Sequence, residues 1–411
     1  MGILYARFDF EYHERLWREG EIWSVSPAEI VFRFPGTSYR AVLAGEFLFE
    51  SNGNITGTIE SYSVRFKENA PFIDFSNMNL DAETYLRLMI SDSPDFVEYV
   101  FSGNDTLVQS VNWKSLFGYS GDDTIYGGAG ADTLDGGAGD DVIYGGGSND
   151  LVDGDVGNDT AAYLGVKGSY TLTIGQSSTI MTDRTGAEGT DTLINIEKLA
   201  FTDRTLDLTN YSSLTQLNGT QIKALAEMYV AYFNRAPDAE GLFYWADKLA
   251  EGRTMDQIAE RFFDQDETRA IYTDPSNIDA FVTAVYANVL GRTPDANGFE
   301  FWTGKLAANE VTQGAFVLKI ILGAKNGGGP EDIAYLSDKT DLSIYFSAIK
   351  GLTDAADGRQ VMVTFGDQST SDKTGAKAAI DGHYSDATAS GGGEFIFELV
   401  GIVNDPFAGV I

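Results

Sequence analysis

Gly118-Tyr-Ser-Gly-Asp-Asp123-Thr-Ile125-Tyr, Gly127-Gly-Ala-Gly-Ala-Asp132-Thr-Leu134-Asp, Gly136-Gly-Ala-Gly-Asp-Asp141-Val-Ile143-Tyr, Gly145-Gly-Gly-Ser-Asn-Asp150-Leu-Val152-Asp, Gly154-Asp-Val-Gly-Asn-Asp159-Thr-Ala161-Ala: from Gly118 to Ala162 the chain repeats every nine residues without a slip. Glycine tolerates positive φ and lets neighbouring backbones approach closely, so each repeat opens on a tight turn. Such a turn aims carbonyl oxygens inward, and the Asp at the sixth place adds a carboxylate. Hard, adaptable oxygen ligands of this kind suit calcium, with its roughly six to eight ligands, better than octahedral magnesium. The three residues after the Asp make a short strand whose middle side chain points inward, so Ile125, Leu134, Ile143 and Val152 are expected to stack into a thin core. A disordered Gly/Asp linker has no need of an apolar residue at every ninth place. An EF-hand is excluded as well, because neither the acidic run from Asp153 nor Asp295-Ala-Asn297-Gly298 has glycine at loop position six and glutamate at twelve.

The beat G-G-x-G-x-D-x-U-x resembles the RTX (repeats-in-toxin) family of secreted, calcium-binding bacterial proteins, whose repeats form a parallel β-roll. The resemblance implies that successive strands fall on opposite faces, so that turn n stacks on turn n+2. It pairs Asp123 with Asp141, Asp132 with Asp150, and Asp141 with Asp159. It also implies that each ion takes carbonyls from positions one and three of one turn and two and four of the other. These are Gly118, Ser120, Gly137 and Gly139 for the first pair, and Gly127, Ala129, Gly146 and Ser148 for the second. For the third they are Gly136, Ala138, Asp155 and Gly157. Val100–Val108 keeps the phase with Gly103, Asp105 and Leu107, which adds a site joining Asp105 to Asp123. Gln109–Phe117 keeps only Leu116 and has Lys114 where the Asp belongs, so the Lys114–Asp132 pairing should hold no ion. The expectation is about three to four calcium ions. Repeat five, with Asp155 in a glycine slot and Ala161 as its core residue, reads as a cap.

The 411 residues include 61 acidic and 28 basic ones, a net charge of −33. Between Gly118 and Ala162 there are ten Asp and no Lys or Arg. Without cations that stretch repels itself and buries too little apolar surface to fold, so metal binding should supply its folding free energy. Nucleic acid is not an expected partner, since phosphate contacts need basic patches. The chain has no cysteine, and calcium takes the stapling role that disulfides have in many secreted proteins. Met1–His13 shows no Sec-type signal, and no stretch is long enough for a transmembrane helix. The tail from Gly391 to Ile411 is glycine-rich and then apolar. It looks like the uncleaved C-terminal signal by which RTX proteins engage the type I export machinery, the plainer reading being a terminal strand.

The fold class expected is a multidomain β + α chain. Residues 1–99 form a β-rich domain, with a strand at Phe8–Tyr12, a hairpin around Asn52-Gly53 and a short helix from Asp81. Residues 100–162 form the roll. Residues 163–210 continue or cap it; their Asp residues could bind additional calcium, but they lack the nonapeptide spacing and are not assigned as ligands. Residues 211–350 are helical, with apolar periodicity over Ile222–Asn234, Leu242–Ala250, Met255–Gln265, Ile278–Leu290 and Gln313–Leu322, and capping boxes at Thr254/Gln257 and Ser276/Asp279. A motif recurs there after fifty-seven residues, with Arg235, Pro237, Asp238, Gly241 and Trp245 matched by Arg292, Pro294, Asp295, Gly298 and Trp302. It resembles DUF4214, a helical domain of unknown function often attached to secreted RTX proteins. These residues are read as a fold unit, Asp starting a helix, Trp filling the core and Arg binding loop carbonyls or the capping Asp. Residues 351–411 form the C-terminal region.

No catalytic residue is assigned. With His13 and His383 as the two histidines there is no H-E-x-x-H motif, and no G-x-S-x-G elbow or Walker A loop occurs. The leading expectation is a secreted, non-enzymatic, calcium-dependent structural or adhesive protein at the cell surface, assembling with itself. A soluble module binding cell-surface polysaccharide or another partner is the alternative, and a secreted hydrolase or lyase the third.

Overall fold

A computed structural model describes residues 102–108, 115–176, 178–389 and 393–408 with their side chains, and the backbone of residues 21–26, 29–33, 39–49, 55–66 and 71–81. The strand expected at Phe8–Tyr12, the helix expected from Asp81, the turn residues Asn52-Gly53 and Lys114 lie outside the described residues. Contacts divide the chain into two units, residues 1–166 with 178–208, and residues 167–177 with 209–411.

The first unit opens with an antiparallel meander of β1 (Glu21–Ser26), β2 (Glu29–Arg33), β3 (Tyr39–Phe49), β4 (Ile55–Phe66) and β5 (Pro71–Asp81). Phe49 stands opposite Ile55, as the expected hairpin requires. The roll follows, with β6 (Thr106–Val108), β7 (Ser115–Phe117), β8 (Thr124–Tyr126), β9 (Thr133–Ala138), β10 (Val142–Tyr144), β11 (Leu151–Val156) and β12 (Thr160–Ala162). Strands alternate between two faces, as the resemblance to RTX repeats implies. On one face β6, β8, β10 and β12 stack in parallel, aligning Leu107, Ile125, Ile143 and Ala161. On the other β7, β9 and β11 align Leu116, Leu134 and Val152. Apart from Leu116, which is half-buried, these side chains are wholly buried, so a thin apolar seam holds the two faces together.

After β13 (Tyr170–Gly175), which belongs to the second unit, the first resumes with β14 (Thr179–Asp183), β15 (Thr190–Ile194), β16 (Lys198–Ala200) and β17 (Thr205–Asp207). Repeat five does not cap the roll. β12 pairs in parallel with β16, and β15 pairs with β11. Strand pairing needs only backbone partners, so the small Ala161 does not end it and stands opposite Leu199. The edges are then turned antiparallel, β17 on β16, β14 on β15 and β5 on β6, which ends the parallel stacking.

The second unit is mainly helical. It runs through α1 (Gly219–Phe233), α2 (Ala239–Ala250), α3 (Met255–Phe263), α4 (Asp266–Ile271), α5 (Ile278–Leu290), α6 (Ala296–Ala307), α7 (Gln313–Gly327), α8 (Pro330–Ile344), α9 (Ala355–Phe365) and α10 (Lys373–Thr388), and ends in β18 (Ile396–Val400). The Thr254/Gln257 capping box forms as expected. The Ser276/Asp279 box does not, because Ser276 gives its hydroxyl to Asp274 and Asn277 caps α5 through Ala280 N. Val230, Leu342, Phe346, Val361, Phe365 and Ile380 share one core with Ile396 of the tail. β18 lies parallel to β13, with Leu172 opposite Phe397, so the segment read as an export signal contains a buried strand.

Candidate metal centre

The turns of the five repeats from Gly118 fold the same way because the second residue of each adopts positive φ: Tyr119 (70°), Gly128 (99°), Gly137 (92°), Gly146 (93°) and Asp155 (61°). Glycine suits that conformation and Asp is among the few others that visit it, so Asp155 fits its slot. The stacking is tight. A Cβ on Gly137 would lie 2.3 Å from the Tyr119 carbonyl oxygen, and one on Gly146 would lie 1.9 Å from that of Gly128.

This backbone sets the sixth-position carboxylates in two columns. In the first, the amides of Asp105, Asp123 and Asp141 donate to Oδ1 of Asp123, Asp141 and Asp159 at 2.7, 2.7 and 2.9 Å. In the second, Asp132 N donates to Asp150 Oδ1 at 2.8 Å. These are the pairings expected from the sequence. All six side chains are at most 4% exposed. The other oxygen, Oδ2, of Asp105, Asp123, Asp141, Asp150 and Asp159 is buried with no hydrogen-bond partner.

The unpartnered oxygens converge with carbonyls. Asp123 Oδ2 and the Gly136 carbonyl both lie 2.3 Å from where a Cβ on Gly118 would be, so only glycine leaves room there. The Gly145 carbonyl, which the sequence reading left out, takes the equivalent place 2.5 Å from a Cβ on Gly127. Of the other expected carbonyls, Ser120 O and Ala138 O accept from Gly103 N and Gly121 N, each keeping a second lone pair. Gly139 O faces Gly157, and Ser148 O faces Gly189. Among the described residues no three acidic or histidine side chains gather at one point, so a cation here would rest on carboxylate pairs and carbonyls.

Electrostatics point the same way. Burial pushes the Asp105 and Asp123 carboxyls up to about 7 and those of Asp150 and Asp159 to about 6, and it raises Asp141 too. Neighbouring carboxylates add to the rise at Asp123 and Asp159. Buried anions with empty lone pairs are costly unless a cation faces them. The donor set of carboxylate and carbonyl oxygens therefore fits calcium.

The sequence reading missed an outer ladder at the fifth position. Asp122 N donates to Asn104 Oδ1, Asp140 N to Asp122 Oδ1, and Asn158 N to Asp140 Oδ1, all near 2.9–3.0 Å. The signal was present, since Asn104, Asp122, Asp140, Asn149 and Asn158 all fill that place and Trp113 and Ala131 are the exceptions.

In the helical unit the repeated motif builds two equivalent corners. Asp238 and Asp295 cap α2 and α6 through Gly241 N and Gly298 N. Arg235 bonds the Ala236 carbonyl, Asp238 and, through two nitrogens, Glu267; Arg292 bonds the Thr293 carbonyl and, through two nitrogens, Asp332. Trp245 packs on Phe262 and Trp302 on Phe316. These are the packing and capping roles expected of a fold unit.

Residues 115–143 and 126–161 match the family model of the RTX calcium-binding nonapeptide repeat (4 copies), and residues 259–326 match that of DUF4214, a domain of unknown function. The chain therefore carries RTX calcium-binding repeats and a DUF4214 domain, as its motifs led us to expect, and calcium is the ion its repeats imply. No curated protein and no solved structure matches the chain. Among the described residues no helix is long and apolar enough to cross a membrane.

Proposed function

We propose that this is a secreted protein whose roll folds on meeting extracellular calcium, and which then acts without catalysis as a structural or adhesive component of a cell surface or matrix. The observation that carries the reading is the double column of buried carboxylates, in which Oδ2 of Asp105, Asp123, Asp141, Asp150 and Asp159 has no hydrogen-bond partner and is suited to a cation. Such columns are strongly unfavourable where calcium is scarce and become a scaffold where it is millimolar. The chain would leave its cell unfolded, through type I export guided by its tail. Glycine-rich turns, packed helical corners and a large negative charge support a modular structural role rather than a reaction centre.

The test is circular dichroism, sedimentation and electron microscopy of the full chain in millimolar calcium and in chelator. Gain of β-structure and of higher-order particles with calcium is expected. An unchanged spectrum would refute the folding switch, and a strict monomer in calcium would refute the assembly.

A further inference from the structure

We propose that the two carboxylate columns run past the last nonapeptide, through Asp191 and Glu197, and that these residues with Asp150 and Asp159 build two further calcium sites. The proposal rests on the calcium reading of the roll given above.

The first site is hidden by an insertion. Partners in the repeats lie 18 residues apart, whereas Asp150 and Asp191 lie 41 apart. The difference, 41 − 18 = 23 residues, is the detour from Tyr163 to Thr185. Beyond it Gly186-Ala-Glu-Gly189-Thr-Asp191-Thr-Leu193-Ile restores the beat. The backbone follows suit, for Val152 pairs with Leu193. Asp150 N donates to Asp191 Oδ1 at 3.0 Å, and Thr190 N donates to Asn149 Oδ1 at 2.9 Å, which repeats both the inner and the outer ladder. Gly189, with φ of 78°, sits over the Ser148 carbonyl as Gly139 sits over that of Gly121.

The second site uses a shortened turn. Glu197 follows Asp191 by six residues rather than nine, yet Thr160 pairs with Lys198 in register. The longer side chain delivers its carboxylate to the same amide, Asp159 N donating to Glu197 Oε2 at 2.8 Å. Asn195, at φ of 48°, sets its carbonyl 2.2 Å from where a Cβ on Gly154 would be, and Asp159 Oδ2 lies 2.6 Å from the same point. That is the arrangement of Gly136 O and Asp123 Oδ2 at Gly118.

The independent sign of a ligand is the pair of unpartnered oxygens. Asp150 is 3% exposed and Asp159 0%, and Oδ2 of each is buried without a hydrogen-bond partner. By the pattern at Asp123, this oxygen faces the turn that follows. For Asp150 and Asp159 the following turns are those of Asp191 and Glu197. The chemistry is that of a hard divalent cation, taking two carboxylates and turn carbonyls, including that of Asn195 at the second site. Calcium there would pin the chain where it returns from the detour.

The experiment uses the full chain with calcium alone. Native mass spectrometry should show Asp191→Asn and Glu197→Gln each carrying one ion fewer than the wild type. Crystals of the calcium-loaded wild type should give anomalous peaks between Asp150 and Asp191 and between Asp159 and Glu197, a result that does not depend on any variant folding. Peaks confined to the nonapeptide pairs, with both variants at the wild-type count, would overturn this proposal and leave the calcium reading intact. No bound calcium anywhere would overturn both.

Discussion

Replacing Asp141 by Asn tests the register of the whole roll. Asp141 takes part in both the Asp123–Asp141 and the Asp141–Asp159 pairings. Asparagine keeps an oxygen to accept from Asp123 N, so packing is preserved while the charge and one ligand oxygen are lost. A site that binds only the folded state stabilises it by RT ln(1 + [Ca]/Kd), about 2.7 kcal/mol at a hundredfold excess over Kd. With Kd near 10⁻⁴ M, as in tight extracellular modules, about 10 mM calcium provides that excess, and loss of two sites costs about 5 kcal/mol. At about 1 mM calcium the cost falls to about 3 kcal/mol, and with chelator it vanishes. The sign then tends to reverse, because the variant removes one buried like charge from the column. Asp140→Asn is the control, since its side chain lies exposed on the outer ladder and keeps its acceptor. Calcium titration followed by far-UV circular dichroism, with ion counting by native mass spectrometry, separates the two. Asp141→Asn should lose two ions and move its folding midpoint to higher calcium, while Asp140→Asn should do neither. Equal ion counts in the two variants would refute the register.

Gly137→Ala should raise the calcium needed for folding, by the ~1–2 kcal/mol of a left-handed non-glycine residue plus the clash with the Tyr119 carbonyl, whereas Gly130→Ala, with no atom closer than 3.4 Å, should behave as wild type in the same titration. In the helical unit, Arg235→Ala should cost about 3–5 kcal/mol in urea melts at 222 nm, because it strips the buried guanidinium from Asp238 and Glu267. Arg292→Ala, whose side chain is 32% exposed, should cost closer to the ~1.5–3 kcal/mol of a charge-assisted hydrogen bond; the reverse order would contradict the packing described. Burial lowers the Lys339 amine to about 7, while its N–H groups still reach the Asn288 carbonyl and Asn234. Between that value and the ordinary 10.5 the unfolded chain holds a proton that the folded chain lacks, so stability should rise with pH from about 7 to about 10.5. Lys339→Met should flatten that rise in pH-dependent melts, and an unaltered slope would count against a neutral buried amine.

The roll was legible because each place in the beat has one physical task. Glycine at the second place answers to positive φ, Asp at the sixth to the cation column, and Ile or Leu at the eighth to the seam. The pairing of Asp123 with Asp141 follows once strands alternate between faces. Asp191 was left unassigned because the detour breaks the count, although Gly186, Gly189 and Leu193 keep their places around it. Glu197 escaped for a different reason, a shortened turn and an added methylene, which no fixed period encodes. In the helical unit the recurrence after fifty-seven residues exposed both Arg–Asp corners. It could not expose Glu267 and Asp332, because these partners arrive by tertiary packing at unequal distances along the chain. The parallel pairing of β18 with β13 joins strands more than two hundred residues apart, and a short apolar run at a chain end reads equally as a strand or a signal.

The columns also bear on how sharply the roll responds. If each pairing holds an ion, as proposed, an interior Asp serves the ion above it and the ion below, so emptying one site leaves a carboxylate that weakens the next. Units that interact mainly with nearest neighbours load and unload together, and the sharpness of the transition grows with the number of consecutive intact units. The first column holds Asp105, Asp123, Asp141 and Asp159, and amide-to-carboxylate bonds continue it to Glu197. The second holds Asp132 and Asp150 and continues to Asp191. A fault in the middle of the longer column divides it, whereas a fault at its end only shortens it. Asp141→Asn should therefore broaden the calcium transition as well as shift it, while Asp105→Asn should mainly remove one ion and leave the steepness close to that of the wild type. Comparison of Hill slopes from the two titrations decides the matter, and equal slopes would mean that the sites load independently.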